Sequence, residues 1–293
     1  MIVDKIESYL RGEYTPTPEQ FALADAMSKE RGARELAMFN GFFSGGYDHS
    51  KDDDRPTISG SSPFWCVKRL QYGVLRAEKL PVAPRTLWAW YIGRCVESMV
   101  QRLVVLTYED VRWPRLIDGE LVEKECTLDT PAGPIKGHVD LVVGVNDKEI
   151  PVEVKSSATY GWNKTKREKV VDDMFGHRTQ CQFYANAMEA PGAIYISVKK
   201  ETGHYLELHL DTDPRFAEGI RKVVDEVTTA TDMGVTLDRP TWANEMKSPS
   251  EFPGMEQVGS VRCSYCSWVN RCHAGVERRT NKRGTPVWLR PKE

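Results

Sequence analysis

Residues 137–157 read GHVDLVVGVNDKEIPVEVKSS. Two apolar runs flank Asn146-Asp147, a dipeptide suited to a two-residue hairpin turn. Such a turn pairs Val145 with Lys148 and, in the same register, places Asp140 opposite Glu153. Side chains alternate between faces along the second run. Ile150, Val152 and Val154 share the face expected to be buried, and Glu149, Glu153 and Lys155 share the other. Two carboxylates opposite each other on a sheet are destabilising unless a cation lies between them. A divalent ion resolves that conflict, and magnesium or manganese suits oxygen ligands. Lys155 then stands where an ammonium stabilises charge developing on a phosphate or holds an attacking water. The same tripeptide on a solvated strand carries no chemistry, so the reading depends on what surrounds it.

Upstream, the periodicity over 62–106 is helical. Trp88, Ile92, Cys95, Met99 and Leu103 recur every three to four residues and mark the expected core-facing stripe. Glu97 lies on that helix in YIGRCVESMVQRL, about one turn after Gly93. The glycine leaves room above it for a ligand or another stretch of backbone. Downstream, HRTQCQFYANAM (177–188) places Gln180 and Tyr184 one turn apart on one helix face. Strands are expected at 193–198 and 205–210, and a helix at about 214–233. Residues 1–40 read as helical, with Pro18 opening a helix beside a Thr/Pro-rich turn. A Gly/Ser/Asp-rich loop (41–62) sets this N-terminal extension, residues 1–58, apart from the body at 59–293. Helix, strands, helix, strands is an α/β order.

With 293 residues, 40% of them hydrophobic, the chain has material for a substantial core. A net charge of -2 gives no global attraction for a polyanion, so any nucleic-acid site has to be a local patch. No apolar stretch reaches the length of a membrane span. The N-terminus MIVDKIESYLRGE lacks the apolar region of a secretory signal, and a cytoplasmic location is expected. Seven cysteines, an odd count, then favour metal or cluster ligation over disulfides.

RCSYCSWVNRC supplies Cys263, Cys266 and Cys272. Cys-x-x-Cys has the bite to hold one metal or cluster. A fourth ligand is needed, and Cys66 in SSPFWCVKRL is the best candidate, with His273 as the local competitor. Cys95 and Cys181 read as core residues on apolar helix faces. Cys126 lies in a strand. Four thiolates serve zinc or an iron–sulfur cluster, and spacing does not choose between them.

The series Gly93-x-x-x-Glu97, Asp140, Glu153-x-Lys155 and Gln180-x-x-x-Tyr184 resembles the PD-(D/E)XK nucleases of the RecB type. The cysteines bracketing that series resemble the iron–sulfur branch of the group, which includes CRISPR-associated adaptation nucleases and viral relatives. One departure is Glu97, where many relatives carry histidine. The resemblance covers roughly residues 60–275. It implies a restriction-endonuclease-like core, a central mixed β-sheet flanked by helices, with a C-terminal region whose [4Fe-4S] cluster is tied back to Cys66. Zinc is the second choice of occupant. It further implies that Glu97, Asp140, Glu153 and the carbonyl of Val154 bind one or two magnesium or manganese ions. Lys155 positions water or stabilises the transition state, and Gln180 and Tyr184 orient the substrate strand. The implied activity is a DNA exonuclease acting on single-stranded ends, 5′→3′, with protein partners in recombination, repair or CRISPR adaptation.

Local features fit a DNA partner. NKTKREK (163–169) is basic, and Tyr160 and Trp162 lie between it and Lys155. The tail ERRTNKRGTPVWLRPKE carries six cationic residues and Trp288. Cations neutralise phosphates and aromatic rings stack on unpaired bases. The acidic KDDDR (51–55) is expected to point away. The alternative to an enzyme is a non-catalytic DNA-binding or assembly subunit that keeps the nuclease fold; retention of a repulsive carboxylate pair argues against it. A zinc protein without nuclease activity is the third reading.

Overall fold

The computed structural model describes residues 1–43, 58–59, 66–77, 80, 84–171, 175–240, 246–247, 250–259, 263, 266–273, 275–282 and 286–291. The turn at Asn146-Asp147 forms as its residues dictate. Both have positive φ, +48° and +63°, which Asn and Asp tolerate. It joins β6 (Val142–Val145) to β7 (Lys148–Ser157), with Val145 opposite Lys148. The opening stretch holds three strands, where two were expected. Its first residues belong to β5 (Ile135–Val139), which pairs with β4 (Lys124–Leu128). Asp140 lies at the bend between β5 and β6, one residue beyond the last hydrogen bond, from Val152 N to Leu141 O at 2.9 Å. It is therefore not a strand partner of Glu153, and a bend lets its carboxylate turn toward the site.

Among the described residues the main sheet has five strands in the order β1 (Val111–Trp113), β6, β7, β8 (Gly192–Lys199), β9 (Tyr205–Asp211). Strands β7 and β8 run parallel and the other neighbours antiparallel, so the sheet is mixed. A parallel pair needs a crossover, supplied by α5 (Thr159–Glu168) and α6 (His177–Ala187). A short hairpin, β2 (Arg115–Ile117) with β3 (Glu120–Val122), precedes β4.

Three helices cover one face of this sheet: α1 (Ile2–Leu10), α2 (Pro18–Phe43) and α4 (Pro84–Thr107). Ile2, Ile6, Ala24, Met27, Val100 and Val104 there meet Ile150, Val152, Val154, Ile194 and Ile196. The N-terminal helices thus share the core of the sheet. On the opposite side α6, α3 (Val67–Val74) and α7 (Pro214–Asp232) enclose a second cluster with Phe183, Tyr184, Val142 and Ile220. Asp213 caps α7 by accepting from Arg215 N, with Pro214 following it. Beyond α7, β10 (Met246–Lys247), β11 (Met255–Val258), β12 (Glu277–Thr280) and β13 (Pro286–Pro291) form a small antiparallel sheet, with a short α8 (Val269–Cys272) between β11 and β12.

Two assignments of faces change. Strand β7 is buried on both sides: Pro151 and Glu153 are enclosed along with Ile150, Val152 and Val154. A central strand between two helical layers has no solvent face. On α4 the period holds but the phase shifts. Trp88 is 54% exposed and Met99 is exposed, while Val100, Val104 and Val105 are buried. Apolar residues run round much of this helix, so periodicity alone did not choose the side that packs on the sheet. Helix α2 covers 41–43, the start of the loop expected at 41–62, and most of the rest, with KDDDR, lies outside the described residues.

Candidate active site

The candidate residues meet where β7 ends against α4. Glu153 is 8% exposed and its carboxylate pairs closely with the Lys155 ammonium, which also lies 3.8 Å from Glu97 Oε2. Two residues apart on a strand, Glu153 and Lys155 emerge on the same side. Ser156 N donates to Glu97 Oε1 at 3.2 Å, and Ser156 Oγ lies 3.4 Å from the same oxygen. Gly93 makes this approach possible: a Cβ there would sit 3.1 Å from Ser156 Oγ and 3.8 Å from Lys200 Nζ. The expected room above Glu97 is therefore filled by the end of β7. Gly93→Ala should raise helix propensity yet push the Ser156 hydroxyl by a few tenths of an ångström. The expected result is an unchanged or higher melting temperature with turnover down by about tenfold, since small misplacements are costly in catalysis; paired melting and rate measurements check it.

Asp140 is held from two directions. Its Oδ2 accepts from Gln101 Nε2 at 2.9 Å, and its Oδ1 lies 4.0 Å from Arg31 Nη2. Arg31 Nη2 is also 3.7 Å from Glu123 Oε1, just before β4. On α6, Gln180 Nε2 donates to Tyr184 Oη at 3.1 Å. Tyr184 is buried, and burial followed by the Glu153 carboxylate pushes its hydroxyl up.

Charge is concentrated here. Burial pushes the Glu153 carboxyl up to about 7; Lys155 works against this, and Asp140 and Glu97 add to it. Burial alone would lower Lys155, but Glu153 and Glu97 outweigh it and hold the ammonium well above its ordinary value. Among the described residues no three acidic, His or Cys side chains are already grouped around one metal position. Lys155 lies between Glu153 and Glu97, and Gln101 and Arg31 engage Asp140. The donor set nevertheless fits a hard divalent cation, being carboxylate-rich and mutually repulsive. Val154 points its side chain into the core, leaving only its carbonyl as a possible ligand.

Sequence spacing brought Glu97, Asp140, Glu153, Lys155, Gln180 and Tyr184 into view, and the fold gathers them. It missed Gln101, Ser156, Arg31 and Glu123. Gln101 was accessible, one turn after Glu97 on the same helix face. Ser156 follows Lys155 directly but gives no signal of its own, and Arg31 and Glu123 come from distant segments.

The cysteines converge separately. Cys66 precedes α3, and Leu80 N donates to Ser267 O at 2.7 Å while Trp268 Nε1 donates to Ala77 O at 2.9 Å, docking the C-terminal segment on that region. Burial pushes the Cys66 thiol up to about 11, with Cys266, Cys272 and Cys263 adding to it; Cys272 also rises to about 11, from burial and then from Cys266. His273 is buried and held down to about 4 by burial and by Arg239 and Arg290, so its ring is neutral. Cys181 is a core residue as expected, and Cys126 donates to Gly137 O at 3.5 Å. Cys95 is only half-buried and bonds with Tyr91, since it lies off the packed face of α4.

The aromatic residues expected to stack on bases divide. Trp162 is buried under Lys166 and Lys199, and Trp288 is buried in the small sheet, so neither ring is open to a strand. Tyr160 is exposed. The basic run lies largely on α5, with Lys166 and Arg167 exposed. No described helix is long and apolar enough to cross a membrane.

The chain matches the family model of the PD-(D/E)XK nuclease superfamily over residues 68–273. Similar solved structures include "Crystal structure of SSO0001" (16% identity, TM-score 0.45, covering 74% of this chain and 86% of that one). They also include an alkaline exonuclease, LHK-Exo, from Laribacter hongkongensis (15% identity, TM-score 0.41, covering 57% and 80%). No curated protein matches the chain. The family match spans well over half of the sequence, including the last residues of β7 and the Cys-x-x-Cys group, and on that ground this chain belongs to the PD-(D/E)XK nuclease superfamily.

Proposed function

We propose that the chain is a divalent-metal-dependent deoxyribonuclease, an exonuclease that hydrolyses phosphodiester bonds at single-stranded ends with 5′→3′ polarity. The observation that carries this reading is the meeting of Glu97, Asp140 and Glu153 about Lys155. Glu97, Asp140, Glu153 and the Val154 carbonyl would hold magnesium or manganese, which when bound polarises the phosphate and lowers the pKa of water. Lys155 would place its ammonium against charge developing on the phosphate. Tyr184, buried, would act by fixing Gln180, and Gln180 would orient the strand. Exposed Lys166, Arg167 and Tyr160 beside the end of β7 support a nucleic-acid substrate. The polarity and the preference for single strands rest on the likeness of the motif series to RecB-type nucleases. Incubation of single-stranded and duplex DNA labelled at either end with magnesium or manganese tests the exonuclease mode, the polarity and the strand preference: release from internal positions only, release from the 3′ end, or equal rates on duplex would refute each in turn.

A pH dependence accompanies this reading. Glu153 serves as a ligand only when ionised, and its carboxyl sits at about 7. The ionised form is lost as pH falls through that value. Cleavage at limiting magnesium is expected to drop by up to about tenfold per pH unit below it, and to recover with excess metal because binding the ion drives the proton off. Initial rates on both sides of that value at two metal concentrations check this; a profile flat in both would remove Glu153 from the ligand set.

For the cysteines we propose a structural [4Fe-4S] cluster on Cys66, Cys263, Cys266 and Cys272, with zinc as the other occupant. Beyond burial, Cys266, Cys272 and Cys263 raise Cys66, and Cys266 and Cys263 raise Cys272; this proximity supports it, since that repulsion is what a bound cation relieves. Broad visible absorption in anaerobically purified protein separates the cluster from colourless zinc.

A further inference from the structure

We infer that Arg31 takes the place of a second metal ion, so that the site works with one divalent cation and the N-terminal helix α2 is part of it. The inference rests on the metal-dependent reading above. Arg31 lies outside the family match, yet it is only 9% exposed and faces Asp140 and Glu123. Its Nη2 makes no hydrogen bond, standing 3.7 Å from one carboxylate and 4.0 Å from the other. At those distances it acts on the pair as a charge, where a divalent ion would otherwise be drawn. Burial and then Asp140 raise Glu123, and Arg31 and Arg34 oppose this. Arg34 is paired with Glu30, which itself raises Glu123, so those two largely cancel.

The charge count supports a single ion. Glu97, Glu123, Asp140 and Glu153 face Arg31 and Lys155. Four carboxylates and two cations leave minus two, which one divalent ion neutralises. Two ions would leave plus two with Arg31 in place, against plus one without it, and its position on α2, packed through Ala24 and Met27 into the core, does not let it leave freely. Glutamine at this position would uncover the Asp140–Glu123 pair as a second divalent site.

The test is the stoichiometry of manganese binding, read by the loss of the free-ion electron paramagnetic resonance signal without added DNA. Wild type and R31K are expected to bind one ion, R31Q two, and the charge-compensated R31Q/E123Q one again. Two ions in wild type, or one in R31Q, would overturn the inference while leaving the nuclease reading intact. No ion in wild type would overturn both. If R31Q does not fold without metal, the inference requires that manganese restore its fold and that R31Q/E123Q fold unaided; failure of either counts against it. A purely structural role for Arg31 would change stability in every neutral variant without changing the count.

Discussion

Lys155→Ala is expected to reduce metal-dependent cleavage of a labelled single strand by at least about 10³-fold while the protein stays folded. Two effects combine. Removing one preorganised donor from developing charge costs about 10²–10³ in turnover. The second effect falls on Glu153. Lys155 is the group that holds its carboxyl down against burial and against Asp140 and Glu97. Without it the carboxyl rises further above 7, stays protonated at neutral pH and is lost as a ligand until the pH or the metal concentration is raised. The variant should therefore show an activity optimum moved to higher pH, a signature that loss of the donor alone would not give. Lys155→Arg is not expected to rescue, because a planar fork does not fit a space shaped for a point charge between Glu153 and Glu97. Rates for Lys155→Ala within about tenfold of wild type, with melting unchanged, would remove the proposed site. The same result would favour a DNA-binding subunit that merely retains the fold.

On the proposed cluster reading, Cys66→Ser should remove the iron and lower stability by about 4–5 kcal/mol, a figure taken from the chain entropy released when a crosslink closing a long loop is broken. Cys66 belongs to the segment before α3, and the other three candidate ligands lie about two hundred residues later. Direct contacts already dock these segments through Ser267 and Trp268, so the variant should retain its main sheet and lose the C-terminal region first. Iron content, visible absorption and melting read together check this. Cys126→Ser is the control: its thiol is buried and bonded to Gly137 within the β4–β5 pair, and iron content should not change. Equal iron in Cys66→Ser and wild type would shift the fourth ligand to His273, whose neutral ring and buried Nε2 without a hydrogen bond are compatible with that role.

Much of this was legible in the chain before its fold was known, and the failures have a common origin. Asn146-Asp147 specified its own turn because the left-handed backbone it needs is a local property. Glu153-x-Lys155 emerged on one side because alternation is local too. The stripe on α4 was misplaced because Trp88, Ile92 and Met99 satisfy the helical period as well as Val100 and Val104 do; only the neighbouring sheet decides which side is covered. Trp162 and Trp288 looked like bases' stacking partners because an aromatic beside basic residues reads the same whether its ring faces water or the core. The sheet built from β10 to β13 went unseen, its strands being two to six residues long and separated by irregular segments.

By itself the sequence determined the α/β order, the hairpin turn, and the residue types able to hold an oxygen-ligated cation or a thiolate-ligated cluster, since those depend on bonding capacity and on spacings of a few residues. The tertiary structure decided which charges meet. It turned Asp140 out of the strand, closed Gly93 against Ser156, enclosed Glu153 so that its carboxyl rose, and carried Arg31 from α2 to the acidic pair. Coulomb interactions depend on distance in space and on burial, and neither quantity is written in the order of residues along the chain.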